Sequence, residues 1–386
     1  MNPEKSTAYL KNLTPFQTIW HHVPELQNWS SSSWWFFLFF PKQENGYGPK
    51  QMMFTFASRV GRSIRVSSHP SKAKNNWQPG VQLPRKVVNG IDKFWTTVVG
   101  WINDGKEVHE EIVHQPALAT LDAKGSLEAW SKEGFGARIE AHPNLPDGIK
   151  GHFKGKRGSA EFVVWSEKQH DPVHAPRVAD IRTKFGGTHL VAWPKFNFKG
   201  EFSSPSGKEV LEGVGYFQRV CMNIPMFPWK WIYTVFEDGS IFSSFGPYVG
   251  LQILRRNNWW FPKSLESATK NIFNTGYFYD NQTGEMTSFQ KISVRAFVGE
   301  KPFPKFTVQA KNKAGDHINF VANAHGRAQF LLDKSILGGI WHSRHNYNEF
   351  MFKVTNLKGK VGNKIISRGT VGQGWGNHEY TWNFSL

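Results

Sequence analysis

One short stretch carries the side chains best suited to act on a small molecule. It runs from Gly213 to Ser243, GVGYFQRVCMNIPMFPWKWIYTVFEDGSIFS. Side chains alternate across a strand, so Trp229, Trp231, Tyr233, Val235 and Glu237 share one face, and Lys230, Ile232, Thr234, Phe236 and Asp238 share the other. Large amphipathic rings that lead to a carboxylate suit a strand lining a cavity. The same pattern also fits an ordinary sandwich strand with one wet face.

A buried carboxylic acid with a raised pKa can protonate an alkene or a carbonyl oxygen, provided its pocket excludes water. Glu237 and Asp238 are the first candidates, and Asp316, Glu349 and Glu379 are further carboxylates. Asp238 begins an Asp-Gly turn, so a turn former bonded to its own backbone is its simpler reading. Arg219 lies mid-strand in YFQRVCM. A mid-strand arginine usually meets solvent, and it gains a role only if it points inward and pairs with an acid such as Glu237. His342 and His345 stand three apart, on opposite faces of a strand. That spacing makes them secondary candidates for proton transfer and a poor metal pair.

The elements that must hold these groups read as strands throughout. Ser30–Phe40 is apolar on both faces, so it is buried on both sides or lines a barrel. Gln51–Phe56 and Ser63–Ser67 read as its meander neighbours. Asn103-Asp104-Gly105 is a hairpin signal between Phe94–Asn103 and Glu107–His114. Leu13-Thr14-Pro15 marks a short helix start, with Pro15 at the first helical position. Two halves of about 190 residues each have the length and pattern to close into a barrel or a strongly bent sheet. The loop Ser203–Lys208 is the expected boundary, which divides the chain into residues 1–208 and 209–386.

Composition supports a sheet protein with a substantial core. The 386 residues include 17 Trp, 32 Phe, 36 Gly and 21 Pro, and aromatic runs broken by turn formers mark strands. The net charge of +17 comes from scattered Lys and Arg. Without a basic run or a known recognition motif, nucleic acid is not an expected partner, whereas an anionic membrane surface is. One cysteine, Cys221, excludes an internal disulfide and a thiolate metal cluster. The first residues lack a signal-peptide core, and the longest apolar run is far below a membrane span. A cytoplasmic protein, in part at a membrane surface, is the expectation. No nucleophile elbow, P-loop, HExxH or GxGxxG is present, and no metal or organic cofactor is expected.

Four stretches together resemble a known group. They are Ser33-Trp34-Trp35-Phe36-Phe37, Glu161–Ser166, Gly213–Gly239 with its Trp-x-Trp and Asp-Gly, and Arg368-Gly369-Thr370 leading to His378-Glu379-Tyr380-Thr381-Trp382. The series is similar to the lipocalin-like double-barrel family that contains carotenoid 1,2-hydratases and AttH-type proteins. The resemblance implies an all-β chain of two tandem lipocalin-like barrels with an apolar ligand cavity. Enzymes of that family hydrate, cyclise or isomerise isoprenoid and polyene substrates without a cofactor. The chain departs from the pattern where Ser33 stands before the Trp pair and where the Gly-Tyr strand continues as Phe217-Gln218-Arg219.

The expected function is binding of a long apolar molecule, isoprenoid or polyketide-like, in a barrel cavity. As an enzyme the chain would start hydration, isomerisation or cyclisation with acid from Glu237 or Asp238. Arg219 would anchor a polar end or tune the acid. Trp34, Trp35, Tyr216, Trp229, Trp231 and Tyr233 would line the pocket. The alternatives are a non-catalytic carrier and a structural module whose barrels are filled by their own aromatics.

Overall fold

In the computed structural model the described residues are 10, 12–23, 26, 31–44, 46–59, 63–67, 78–79, 90–168, 171, 173–183, 186–223, 227–250, 269–297, 303–336 and 341–384. A four-residue helix, α1 (Pro15–Thr18), opens them, capped by the Thr14 side chain with Pro15 in its first turn. The first sheet takes β1 (Ser32–Gln43), β2 (Gly46–Tyr47) and β3 (Gln51–Arg59). After β4 (Ser63–Ser67) and β5 (Gln78–Pro79) it continues through β6 (Ile91–Asn103), β7 (Val108–Asp122), β8 (Ser126–Trp130) and β9 (Gly136–Ala141). It ends with β10 (Ile149–Lys154), β11 (Ser159–Trp165), β12 (Arg177–Thr183), β13 (Gly186–Ser204) and β14 (Gly207–Met222).

The second sheet is built from β15 (Trp229–Phe236), β16 (Ile241–Gly250), β17 (Thr269–Asn271), β18 (Thr275–Tyr279), β19 (Met286–Phe289) and β20 (Lys291–Phe297). Its remaining strands are β21 (Lys305–Lys311), β22 (His317–Ile336), β23 (Trp341–Val361), β24 (Lys364–Ser367) and β25 (Gly374–Phe384), together with β4 and β5, and the short helix α2 (Arg368–Val371) stands between β24 and β25.

Both sheets curl into barrels. In the first, the order β11-β10-β9-β8-β7-β6-β3-β1-β14-β13 closes on itself because β13 also pairs with β11. In the second, the order β19-β18-β16-β15-β25-β23-β22-β21-β20 stops one step short of closure. Its two ends, β19 and β20, are joined in sequence by Gln290 alone. Two tandem barrels are therefore the architecture.

Two expectations need correction. β14 pairs along its length with β1 and β13, so residues 209–222 belong to the first barrel. The Ser203–Lys208 loop is a hairpin within that barrel, and the chain crosses to the second barrel between Met222 and Trp229. Ser63–Ser67 does not extend the first meander, because β4 pairs with Leu331–Lys334 of the second barrel. Its alternating pattern fits either sheet, and pairing across the chain decided which.

The barrel interiors are packed with the protein's own rings. Phe37, Phe39, Phe54, Phe153, Phe162 and Phe202 meet inside the first barrel. Phe242, Phe306, Phe320, Phe350 and Phe352 meet inside the second. β1 is buried on both faces, as its sequence requires. Trp35, Phe37 and Phe39 point into the first barrel. Phe36, Leu38 and Phe40 point the other way, into a third core shared with the second barrel.

Candidate active site between the barrels

The third core is the seam where the two barrels meet. The first barrel supplies Phe36, Leu38, Met53, Val99 and Tyr216, and the second supplies Trp231, Tyr233, Phe330 and Met351. β15 shows why its sequence is aromatic on one face. Trp229, Trp231, Tyr233 and Val235 turn outward onto the seam, whereas Ile232 and Phe236 enter the second barrel. Tyr216 of β14 packs on Trp231 with ring centroids 4.8 Å apart. The Tyr233 hydroxyl donates to the Pro194 carbonyl at 2.7 Å. The aromatic face thus lines the space between the barrels and not the lumen of either one.

Two carboxyl groups lie on this outer face. The pairing of β23 with β25 sets Glu349 directly opposite Glu379, and the pairing of β15 with β25 sets Trp231 opposite Glu379. Both glutamates are buried. The Tyr347 hydroxyl lies within hydrogen-bond distance of Glu349 Oε1, and 2.7 Å from Glu379 Oε1. The Trp229 indole N–H donates to Glu379 Oε2 at 2.7 Å. The His345 ring stacks on Trp229 at 5.0 Å.

Like charges directly opposite on a sheet repel, and burial makes the ionised form costly. Burial first, and then the charge of Glu379, push the Glu349 carboxyl well above the ordinary range. Burial raises Glu379 to about 7, against the opposing pull of the Trp229 and Tyr347 hydrogen bonds. A phenol has one proton, so Tyr347 cannot donate to two carboxylates at once. The consistent assignment has neutral Glu349 donating to the Tyr347 oxygen, and Tyr347 donating to Glu379. The Asn377 side chain lies beside Glu349 and, with Tyr347, pulls its carboxyl back down against the effect of burial.

A pocket opens beside this pair, with a volume of about 90 Å³. Its walls include Trp34, Phe36, Gln218, Trp229, Tyr347 and Glu379. Glu379 therefore faces the space, with Glu349 behind it across Tyr347. Pockets for drug-sized ligands span roughly 300–1,000 Å³, so this one takes one end of a molecule and not a long chain.

The residues singled out in the sequence fall in several places. Trp34 and Trp229 line the pocket, and His345 stacks behind Trp229. Trp231, Tyr216 and Tyr233 pack the seam around it. Trp35 faces the interior of the first barrel. The side chain of His342 lies outside the described residues.

Glu237 does not sit in the site. It is exposed at the end of β15, because the strand stops at Phe236 and the alternation that would turn residue 237 inward ends with it. Asp238 is the turn former of the simpler reading, with its carboxylate accepting from the Ser240 N–H at 2.9 Å and the Ser240 hydroxyl at 2.8 Å. Arg219 points inward as the useful alternative required, but toward Trp35 at the end of the first barrel, where it meets no Glu237. The acids that are brought together, Glu349 and Glu379, were among the candidates without a role. Tyr347 was missed, although Tyr347 and Glu349 stand two apart on one strand face.

Asp104, Glu107 and His109 also gather ligand-type atoms. Their bonds tie two hairpins together: Asp104 Oδ1 accepts from the Lys106 and Glu107 N–H groups, Asp104 Oδ2 lies 2.9 Å from His109 Nε2, and the Ser206 hydroxyl donates to Asp104 Oδ2 at 2.6 Å.

No family model matches the chain, and no curated protein matches it. Among solved structures, it is similar to an AttH candidate from Nitrosomonas europaea, with a TM-score of 0.45 and 9% identity over 91% of this chain and 92% of that one. It is also similar to kievitone hydratase from Nectria haematococca, with a TM-score of 0.44 and 9% identity over 94% of this chain and 92% of that one.

Proposed function

We propose that the pocket between the barrels takes one end of an apolar molecule bearing an electron-rich double bond, and that Glu379 protonates that bond. The observation that carries this reading is the position of Glu379: on the pocket wall, buried, and backed by a second carboxyl through one phenol. In the protonation step Glu379 receives a proton from Glu349 through the Tyr347 hydroxyl and gives a proton to the π pair, and positive charge develops on the neighbouring carbon. The ring faces of Trp34, Trp229 and Tyr347 stabilise that charge. Water then adds, and its proton returns to the Glu379 carboxylate. Loss of a proton from an adjacent carbon gives isomerisation instead. Glu349 serves as a proton reserve, coupled to Glu379 through the Tyr347 hydroxyl.

The test is incubation with short isoprenoid alcohols and polyenes in deuterated water, read by mass spectrometry for water addition, rearrangement or deuterium uptake. General acid catalysis contributes roughly 10²–10⁴-fold, so Glu379→Gln is expected to lose about 100-fold or more. Binding of these ligands with no product would leave the chain a carrier, and turnover unchanged in Glu379→Gln would overturn the acid role.

A further inference from the structure

A second cluster of reactive side chains lies at one end of the first barrel, apart from the seam. Cys221 near the end of β14 stands opposite Ser33 of β1 and His189 of β13. Its Sγ lies 3.3 Å from the Ser33 hydroxyl and 3.8 Å from His22 Nδ1. The other His22 nitrogen, Nε2, is 2.9 Å from the Asp92 carboxylate of β6. A thiol, an imidazole and a carboxylate thus stand in line, with the acid holding the ring that faces the sulfur.

Arg219 supplies the independent observation. It lies two residues before Cys221 on the same face of β14 and is fully buried. Its guanidinium sits 4.7 Å over the Trp35 ring, and Nη2 donates to the His21 carbonyl at 2.6 Å. Nε and Nη1 have no hydrogen-bond partner among the described residues. A buried guanidinium without a counter-charge is strongly disfavoured. Among the described residues no carboxylate pairs with it, and Asp92 is engaged by His22. The ionised sulfur is the group placed to balance it.

We infer that Cys221 is a nucleophilic thiolate that adds to a small activated alkene carrying a carbonyl or carboxylate oxygen, with the unused Arg219 donors holding that oxygen. Sγ forms a bond to the β-carbon, and the alkene π pair moves through the α-carbon to the oxygen. The α-carbon then takes its proton from His22 as the imidazolium.

The surrounding charges fit this assignment. Burial alone would push the Cys221 thiol up, but Arg219, His22 and Ser33 together hold it well below its ordinary value. From β13, His189 faces the cysteine, with its Nδ1 3.9 Å from Asp180 of β12. Burial, followed by Arg219, holds both His189 and His21 below the usual histidine value, so both favour the neutral ring. Cys221 is itself fully buried, with Val23 and Leu26 packed against it, so a reagent reaches the sulfur only when that packing opens, which favours small ones.

The probe is acrylamide, with the adduct located by mass spectrometry and the rate followed against pH. The folded chain is expected to take one acrylamide at Cys221, with a rate nearly flat between about pH 6 and 8. At about pH 6 it is expected to exceed the urea-unfolded chain by tenfold or more, because a free thiol ionises near 8.5. Arg219→Met is expected to cut that rate at least about tenfold, and Asp92→Asn to restore a rising pH profile. The thiolate ultraviolet absorbance of the wild-type chain minus that of Cys221→Ser gives a reading that does not depend on either variant folding. A rate that climbs with pH through the ordinary thiol range, labelling only after unfolding, or absence of thiolate absorbance at neutral pH would overturn the proposal.

Discussion

Glu349 and Glu379 face each other across two paired strands, with the hydroxyl of Tyr347 between them. Two buried carboxyls bridged by one phenol cannot both be ionised at low cost. At least one proton is held within the pair. That relationship sets the pH behaviour of the protein and much of its expected chemistry.

Stability should fall as pH rises through the neutral range. Both carboxyls have folded-state values above those of the unfolded chain, so the folded state binds more protons between about 4.5 and 7. The stabilisation is complete below the unfolded value and is lost as pH climbs through the folded one. From Glu379 alone, urea unfolding at pH 5 and pH 8 should differ by about 2–3 kcal/mol, and Glu349 adds to that difference. Glu379→Gln, which stays neutral, should flatten the dependence. An equally steep profile in that variant would count against the pair.

Tyr347→Phe removes the bridge. It should destabilise the chain by roughly 1–3 kcal/mol, since two buried carboxyls lose a shared partner. It should also move the Glu379 titration upward, because the Tyr347 bond pulls that group down. In the enzyme assay, the high-pH limb of the rate would shift to higher pH while the maximal rate drops. A limb that stays in place would show that Tyr347 only packs.

Trp229→Phe keeps the ring and deletes the indole N–H that reaches Glu379 Oε2. The Glu379 titration should again rise, while ligand binding measured by quenching of the remaining tryptophans changes little. Loss of binding together with an unmoved titration would mean that the indole serves the ligand and not the acid.

Glu237→Gln should change neither turnover nor stability by more than about 0.5 kcal/mol, as for an ordinary exposed position. Asp238→Ala should cost about 1 kcal/mol through its lost turn bonds and leave turnover intact. Comparing the two with Glu379→Gln in one assay separates the seam acid from the surface acids.

Phe39→Ala tests the packed lumen. Phe39 meets Phe162 and Phe198 at 4.8 and 4.9 Å inside the first barrel. Its truncation should cost about 3–5 kcal/mol without changing which ligands bind at the seam. A new or altered ligand preference would place the binding site in the barrel instead.

Much of the fold could be read from side-chain alternation. The double-sided burial of β1, the hairpin at Asn103-Asp104-Gly105 and the helix start at Pro15 all follow local rules that act within a few residues. The site was legible only in pieces. The aromatic face of β15 was visible, but whether it looked into a lumen or onto a second barrel depended on pairing with β25, more than 140 residues away. Glu237 continues the alternation of Trp229–Val235 on paper, whereas the strand ends before it. Glu349 and Glu379 become a pair only through the register of β23 with β25, which no single segment encodes. The barrel boundary was misplaced for the same reason: a Ser-Pro-Ser-Gly loop marks a turn equally well within a barrel and between two.

The most direct measurement is a carbon NMR titration of the glutamate carboxyls in the wild-type chain, assigned with Glu349→Gln and Glu379→Gln. One carboxyl is expected to stay neutral at pH 7 and a second to titrate near neutrality, both signals changing when either residue is replaced. If both groups instead ionise in the ordinary glutamate range near 4.3, the seam holds no proton to deliver and the account is contradicted.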